Sequence, residues 1–197
     1  MKRVALLGST GSIGESTLDV LRMRPDHFRL VGLAAGRNTR RLLEQAGEFK
    51  VGVIGASSPA PPHTTETSLI SGERAAMEVI RRSEPDIVVN GISGAAGFPP
   101  SLEAVRQGAA LALANKESLV IGGGFLTEEA RRKGVHILPV DSEHSAVFQC
   151  LAGENPGAIR RIILTASGGP FRDRPKETFS SITPGQALNH PTWSIDR

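Results

Sequence analysis

The opening residues, MKRVALLGSTGSIGESTLDVLRM, limit the fold more than any other stretch of the chain. A short apolar run, RVALL, leads straight into glycines at positions 8, 11 and 14, and a helical pattern around Thr17 to Met23 follows. Such a loop after a first strand has a physical logic. The first glycine permits a tight turn, the second lets backbone approach a pyrophosphate, and the third lets helix and strand pack closely. The helix that follows offers free N–H groups and the positive end of its dipole to an anion. Glycine-rich turns are common, so the loop alone is equally a plain strand-to-helix turn. What favours a dinucleotide site is its place at the head of a longer alternation.

That alternation runs through most of the chain. FRLVGLAA, VGVI, DIVVN, AALALA and VHILPV read as short buried strands. Between them NTRRLLEQAGEF, ERAAMEVIRRS, PSLEAVRQG and FLTEEARRKG carry apolar residues at helical spacing, the third opened by a proline and closed by Gly108. Strand–helix alternation predicts an α/β fold, a Rossmann-like, doubly wound and mostly parallel sheet. The run SSPAPPHTTETS at positions 57–68 is aperiodic and reads as a surface loop. After Pro139 the texture changes. IRRIILTAS reads as one more strand, GGPFRDRPKETF as loop and TPGQALNHPTW as a short helix entering a loop. We therefore expect a nucleotide-binding domain over residues 1–139 and the beginning of an α+β catalytic domain over 140–197, the latter small for an independent unit.

Composition removes several classes. The net charge is only +3, and the arginine pairs are scattered where helix ends fall, which reads as solvated surface and not as a nucleic-acid stripe. A single cysteine excludes an internal disulfide and a cysteine-based zinc site. VALL is too short for a signal core, and no run approaches the ~18 apolar residues of a membrane span. The expectation is a cytoplasmic protein that engages neither nucleic acid nor membrane.

Chemistry-bearing residues gather at predicted strand ends, where this fold faces its ligand crevice. Glu15, standing where a kinase-type phosphate loop needs lysine, argues against a nucleoside triphosphate. The second strand ends in Gly36, Arg37 and Asn38 with Arg40 and Arg41 behind, and no acid there would bind a ribose 2′-hydroxyl. That favours NADP over NAD, with Arg41 read as the solvated start of a helix. The absence of tyrosine excludes the Tyr/Lys proton donor of short-chain dehydrogenases. Cys150 lies in the apolar helical pattern VFQCLAG and reads as a core residue, which counts against a thioester-forming nucleophile. Asn115, Lys116 and Glu117 in LANKESLV form either a helix-capping turn or a ligand rim. Asp141 and Glu143 in LPVDSEHS admit two readings. In an extended segment, residues i and i+2 share a side, and the two carboxylates would converge on Mg²⁺ or Mn²⁺. At a helix start, they would be a cap and a first-turn acid. LTASGGPF places Ser167 and two glycines after a strand, a phosphate nest in one reading. NHPTW adds His190 and Trp193, residues more often structural than functional.

Taken together, GSTGSIG, LANKESLV, LPVDSEHSAVFQ, LTASGGPF and HPTW, in this order and across essentially the whole chain, resemble the 1-deoxy-D-xylulose 5-phosphate reductoisomerase family. The resemblance implies an NADP-dependent oxidoreductase and isomerase of isoprenoid precursor synthesis. Its substrate is a small sugar phosphate, rearranged around a divalent metal (Mn²⁺, Mg²⁺ or Co²⁺) and then reduced by NADPH. It implies that Thr10, Gly11, Ser12, Ile13, Gly36, Arg37, Asn38, Asn115 and Glu117 hold NADPH. Lys116, Ser142, Glu143, Ser167 and His190 would contact substrate, Trp193 would cover it, and Asp141 and Glu143 would bind the metal. The family is homodimeric. Two departures matter: SIDR replaces the family's Met-Gly lid segment, and the run at 57–68 is shorter and richer in proline. The third metal-binding Glu motif of the family is not in this sequence, which implies poor turnover by this chain. The alternative class is a non-catalytic NADP-binding module.

Overall fold

A computed structural model of the chain describes residues 1–58, 69–166 and 168–189. The chain divides into two compact units, Met1–Ser145 and Ala146–Arg197. In the first, seven strands form one sheet: β1 Lys2–Leu7, β2 Phe28–Ala35, β3 Val53–Ala56, β4 Leu69–Ser71, β5 Ile87–Asn90, β6 Ala110–Leu113 and β7 Ile137–Pro139. Their order is β4, β3, β2, β1, β5, β6, β7, and every neighbouring pair is parallel. The chain leaves β1 in one direction as far as β4, then returns to build β5 onto the other side of β1. The reversal point, where open α/β sheets take their ligands, therefore lies between β1 and β5.

Both faces of this sheet are covered, as a parallel sheet requires. β1 shows the period of two directly. Val4 and Leu6 join a core with Leu18 and Leu21 of α1 (Ser12–Met23) and Leu42 and Ala46 of α2 (Thr39–Phe49). Ala5 and Leu7 join the opposite core with Val79 and Ile80 of α3 (Ala75–Ser83), Ala104 and Val105 of α4 (Phe98–Arg106), and Leu126 and Ala130 of α5 (Glu117–Lys133). The helices begin and end for identifiable reasons. The Asn38 carboxamide caps α2 by accepting from the Arg41 N–H. Prolines open α4. Arg131, Arg132 and Lys133 occupy the last turn of α5 before Gly134 closes it in the left-handed region.

Several boundaries differ from the sequence expectation. α5 starts at Glu117, eight residues before the predicted FLTEEARRKG, and it kinks at Gly122 (φ −150°, ψ 34°). A Cβ at that glycine would lie 2.5 Å from the Phe98 ring, so α4 packs into the kink. Three-residue β4 was not anticipated, and the loop predicted over 57–68 falls mostly outside the described residues. The strand predicted from IRRIILTAS is absent: residues 159–166 pair with nothing in a sheet among the described residues, and Ile162, Ile163 and Leu164 are exposed. Strand composition alone does not make a strand when no partner ladder is present.

Beyond β7 the chain holds short local structure. The helix α6 spans Ser142–Leu151 and has no buried residue, so the reading of Cys150 as core is overturned: the thiol is exposed. Farther on, Arg174 donates to Thr178 Oγ1 and Ser181 Oγ and lies 5.8 Å from the Phe171 ring centroid. A capping box between Thr183 and Gln186 starts the helix α7, Pro184–Leu188.

Candidate functional site

The loop after β1 is shaped by backbone contacts that only glycine permits. Gly8 has φ +75°, and a Cβ there would lie 2.6 Å from the Gly91 carbonyl oxygen of the loop after β5. A Cβ at Gly14 would meet the Ser9 carbonyl oxygen at 2.2 Å. Gly11, in contrast, is the exposed N-cap of α1 and makes no side-chain cap. The first N–H groups of α1 thus stay available at an uncovered surface, an anion-binding arrangement.

A cavity of about 280 Å³ opens beside this loop. Gly11, Ser12 and Ile13 line one wall, Gly91 to Ser93 the floor after β5, and Asn115, Lys116, Glu117 and Asp141 the far rim. All of these sit at the C-terminal ends of β1, β5, β6 and β7, so the topology brings together residues from four distant parts of the sequence. A second cavity, about 470 Å³, lies past the ends of β2 and β3 and includes Gly36, Ser57, Arg74, Ile92 and Pro100. The two cavities share Ile92, at the reversal point.

The cationic residues near β2 sort by their partners. Arg41 forms a two-pronged pair with Glu15 of α1 (Nε–Oε1 2.7 Å, Nη2–Oε2 3.0 Å) and also reaches Glu44. The hydrogen-bonded guanidinium holds the Glu15 carboxyl below its ordinary range, with help from Gln45. Arg41 is thereby a strut between helices. Arg40 is almost fully exposed, 3.4 Å from Glu44. Arg37, at the strand end, is exposed and forms no ion pair with any described residue, which leaves its guanidinium open to an external anion.

At the rim, the Asn115 side chain is fully occupied. Its Nδ2 donates to the carbonyls of Ile92 and Gly94 and to Glu117 Oε2, while its Oδ1 accepts from the N–H and hydroxyl of Ser118. It braces the loop after β5 against α5, and any contact it makes to a ligand is through backbone. Asn90, at the end of β5, plays the matching part from below. Its Nδ2 donates to the Gly97 carbonyl and Ser101 Oγ, and its Oδ1 accepts from the Ile92 N–H. Sequence reasoning missed Asn90, although an amide closing the apolar strand DIVVN was a visible signal.

Lys116 Nζ lies 2.8 Å from Asp141 Oδ2. The ammonium holds the Asp141 carboxyl below its ordinary range, and the carboxylate holds the Lys116 ammonium above its own. The other Asp141 oxygen is 3.6 Å from His144 Nδ1. α6 begins at Ser142, so Glu143 stands in a first helical turn, where its Oε2 accepts from Ser142 Oγ. Of the two readings open for Asp141 and Glu143, the extended one is therefore not what the chain adopts. Successive helical residues rotate by about 100°, and the cap reading describes the backbone. Among the described residues no group of three His, Cys, Asp or Glu side chains could hold a metal ion. Asp141 and Glu143, as carboxylates, are donors of the kind a hard divalent cation takes. Ser167, His190 and Trp193 lie outside the described residues.

Comparison with known proteins fits this geometry. The family model for 1-deoxy-D-xylulose 5-phosphate reductoisomerase matches residues 4–123, and the model for that enzyme's C-terminal domain matches residues 137–197. A curated relative of that name from Anaeromyxobacter sp. (strain K) is 48% identical over 201 residues, covering 99% of this chain and 52% of the relative. One from Acaryochloris marina is 44% identical over 206 residues, covering 100% and 51%. The chain thus spans about half the length of the curated relatives it matches. Among solved structures, the reductoisomerase from Zymomonas mobilis in complex with NADPH is 38% identical at a TM-score of 0.85, covering 96% of this chain and 52% of that one. A DOX-P reductoisomerase in complex with NADPH, fosmidomycin and magnesium is 34% identical at 0.81, covering 100% and 52%.

Proposed function

Because the chain belongs to the 1-deoxy-D-xylulose 5-phosphate reductoisomerase family, we propose that it binds NADPH in the crevice between β1 and β5. We assign it to the conversion of 1-deoxy-D-xylulose 5-phosphate to 2-C-methyl-D-erythritol 4-phosphate. The observation that carries the reading is the 280 Å³ cavity, which joins a phosphate-type loop to a rim of Lys116 and Asp141. The relatives of known structure that resemble this chain include complexes with NADPH and with magnesium.

In this reading the backbone of Thr10, Gly11, Ser12 and Ile13 receives the pyrophosphate at the α1 N-terminus. Arg37, flanked by Gly36 and Asn38, takes the 2′-phosphate. Asn115 and Glu117 border the nicotinamide end. NADPH, when bound, supplies the hydride. Lys116 neutralises a substrate anion after leaving Asp141, and Ser142 hydrogen-bonds beside it. Asp141 and Glu143 are the residues that would hold a divalent metal, Mg²⁺, Mn²⁺ or Co²⁺, with Glu143 also facing substrate; the metal's contribution is Lewis acidity toward carbonyl and hydroxyl oxygens. Ser167, His190 and Trp193 are assigned to substrate by resemblance. The domain division at 139/140, a homodimeric state and a cytoplasmic location belong to the same proposal. No helix among the described residues is long and apolar enough to cross a membrane.

The test is a fluorescence titration of the chain with NADPH and, separately, with NADH, followed by NADPH consumption with the ketose phosphate and Mn²⁺. Saturable NADPH binding with weaker NADH binding is the expected result. No saturable binding of either nucleotide would refute the assignment.

A further inference from the structure

Gln45 is a polar residue in the buried stripe of α2, fully enclosed beside Leu42 and Ala46. Its Nε2 donates to the Ser9 carbonyl at 3.0 Å and to Glu15 Oε1 at 2.9 Å. Ser9 belongs to the phosphate loop and Glu15 to the first turn of α1, so one carboxamide ties α2 to both arms of the loop. Arg41, one helical turn earlier, holds the same Glu15 carboxylate. Gly14 packs onto the same Ser9 carbonyl.

This amide is not there for stability alone. Among the described residues, two buried side-chain atoms have no hydrogen-bond partner, and they are Gln45 Oε1 and Ser9 Oγ. An unmet buried acceptor is a cost that a methionine of similar length would avoid. What methionine lacks is the donor. The Ser9 carbonyl and the Thr10 N–H belong to one planar trans peptide and point in opposite directions. Drawing the oxygen toward α2 therefore aims the Thr10 N–H away from α2.

We propose that Gln45 is a positioning residue for the dinucleotide: by anchoring the Ser9 carbonyl and the Glu15 carboxylate, it orients the Thr10 N–H toward the bound pyrophosphate and draws the neighbouring acid aside. The inference rests on the NADPH reading for its ligand. It predicts a split between two ligands. Adenosine 2′-phosphate carries the adenine and 2′-phosphate but no pyrophosphate, so it is indifferent to the loop. In the 197-residue chain, Gln45→Met is expected to raise the NADPH Kd about tenfold, the worth of one hydrogen bond of this kind. The Kd for adenosine 2′-phosphate stays within about twofold, and Tm within ~3 °C. A general structural role would weaken both ligands together, and that result, or an unchanged NADPH Kd, overturns the proposal. If Gln45→Met does not fold by circular dichroism, Arg41→Ala serves, because Arg41 lies at the surface. It is expected to raise the NADPH Kd roughly threefold and leave adenosine 2′-phosphate binding alone; no change in NADPH binding, or a loss for both ligands, overturns the proposal. If the wild-type chain binds no NADPH, the functional reading fails by itself. The Thr10 amide chemical shift in the same variants still decides the brace, since a shift equal to wild type refutes it.

Discussion

A matched pair of glycine-to-alanine changes separates what the phosphate loop needs from what a helix prefers. In an ordinary helix interior, alanine is more favourable than glycine by about 1 kcal/mol. At Gly47, inside α2, a Cβ would meet nothing within 4 Å, so Gly47→Ala is expected to deliver most of that gain. Gly14 lies in α1, and the same arithmetic promises the same gain. Its Cβ, however, would stand 2.2 Å from the Ser9 oxygen, 2.4 Å from the Ser9 carbonyl carbon and 2.5 Å from the Gly8 oxygen. These are backbone atoms on one side of a constrained loop, and they yield only if the loop moves. Overpacking of this kind costs about 1–3 kcal/mol, so the net effect of Gly14→Ala is a loss of up to ~2 kcal/mol. For a chain of this size, that lowers Tm by about 4–8 °C. The assays are thermal melts of both variants and NADPH titrations beside wild type. Gly47→Ala should melt higher and bind NADPH unchanged, whereas Gly14→Ala should melt lower and bind at least about tenfold more weakly. A Gly14→Ala protein as stable as wild type and equally competent for NADPH would refute the close-packing argument.

Three further outcomes follow from other contacts. Arg37→Gln is expected to reduce the preference for NADPH over NADH by about tenfold, measured as the ratio of the two Kd values, with NADH affinity unchanged. Asn90→Ala leaves the Ile92 N–H and the Gly97 carbonyl without their shared partner, and urea unfolding should record a loss of about 2 kcal/mol. Glu103 is largely buried, takes both prongs of Arg81 at 2.8 and 2.9 Å, and also accepts from Gln107. The Arg81 guanidinium holds its carboxyl below the usual range. Its stabilisation is therefore complete above the unfolded-state value, about 4.3, and is lost as pH falls through the lower folded-state value. Glu103→Gln should cost about 1 kcal/mol at neutral pH, allowing for the exposure of Arg81, and the difference from wild type should vanish in acid when urea midpoints are compared.

Much of the fold was legible because its signals are local and repeated. FRLVGLAA coincides with β2 from end to end, since a parallel strand covered on both faces is apolar along nearly all its length, with Arg29 the exposed exception. β4, three residues long, is too short to carry a period. IRRIILTAS carries the composition of a strand, yet among the described residues its positions 159–166 have no partner strand, a property no single segment encodes. The site divides in the same way. The phosphate loop could be read because each glycine answers a separate local demand. Asp141 and Glu143 could not be resolved, because their relation depends on whether the chain after β7 stays extended or turns helical at once, and α6 begins at Ser142. Asn115 stands out in the sequence as a polar residue at a strand end. That its side chain is spent on Ile92, Gly94, Glu117 and Ser118 depends on the arrival of a loop more than twenty residues earlier in the chain.

The contact between Gly8 and Gly91 also sets when the site can exist. β1 reaches its neighbour β5 across a long span: the Arg3 N–H donates to an Asp86 carboxylate oxygen 83 positions away. Closing so large a loop costs entropy before any contact repays it. The glycine-rich residues leave the ribosome well before the carbonyl that forms their inner wall. At synthesis rates of about 5–20 residues per second, the nascent loop waits roughly 4–17 s for its other side. Nucleotide binding is thus a late property of an early sequence, and a ligand captured at that moment would fasten β5 onto β1.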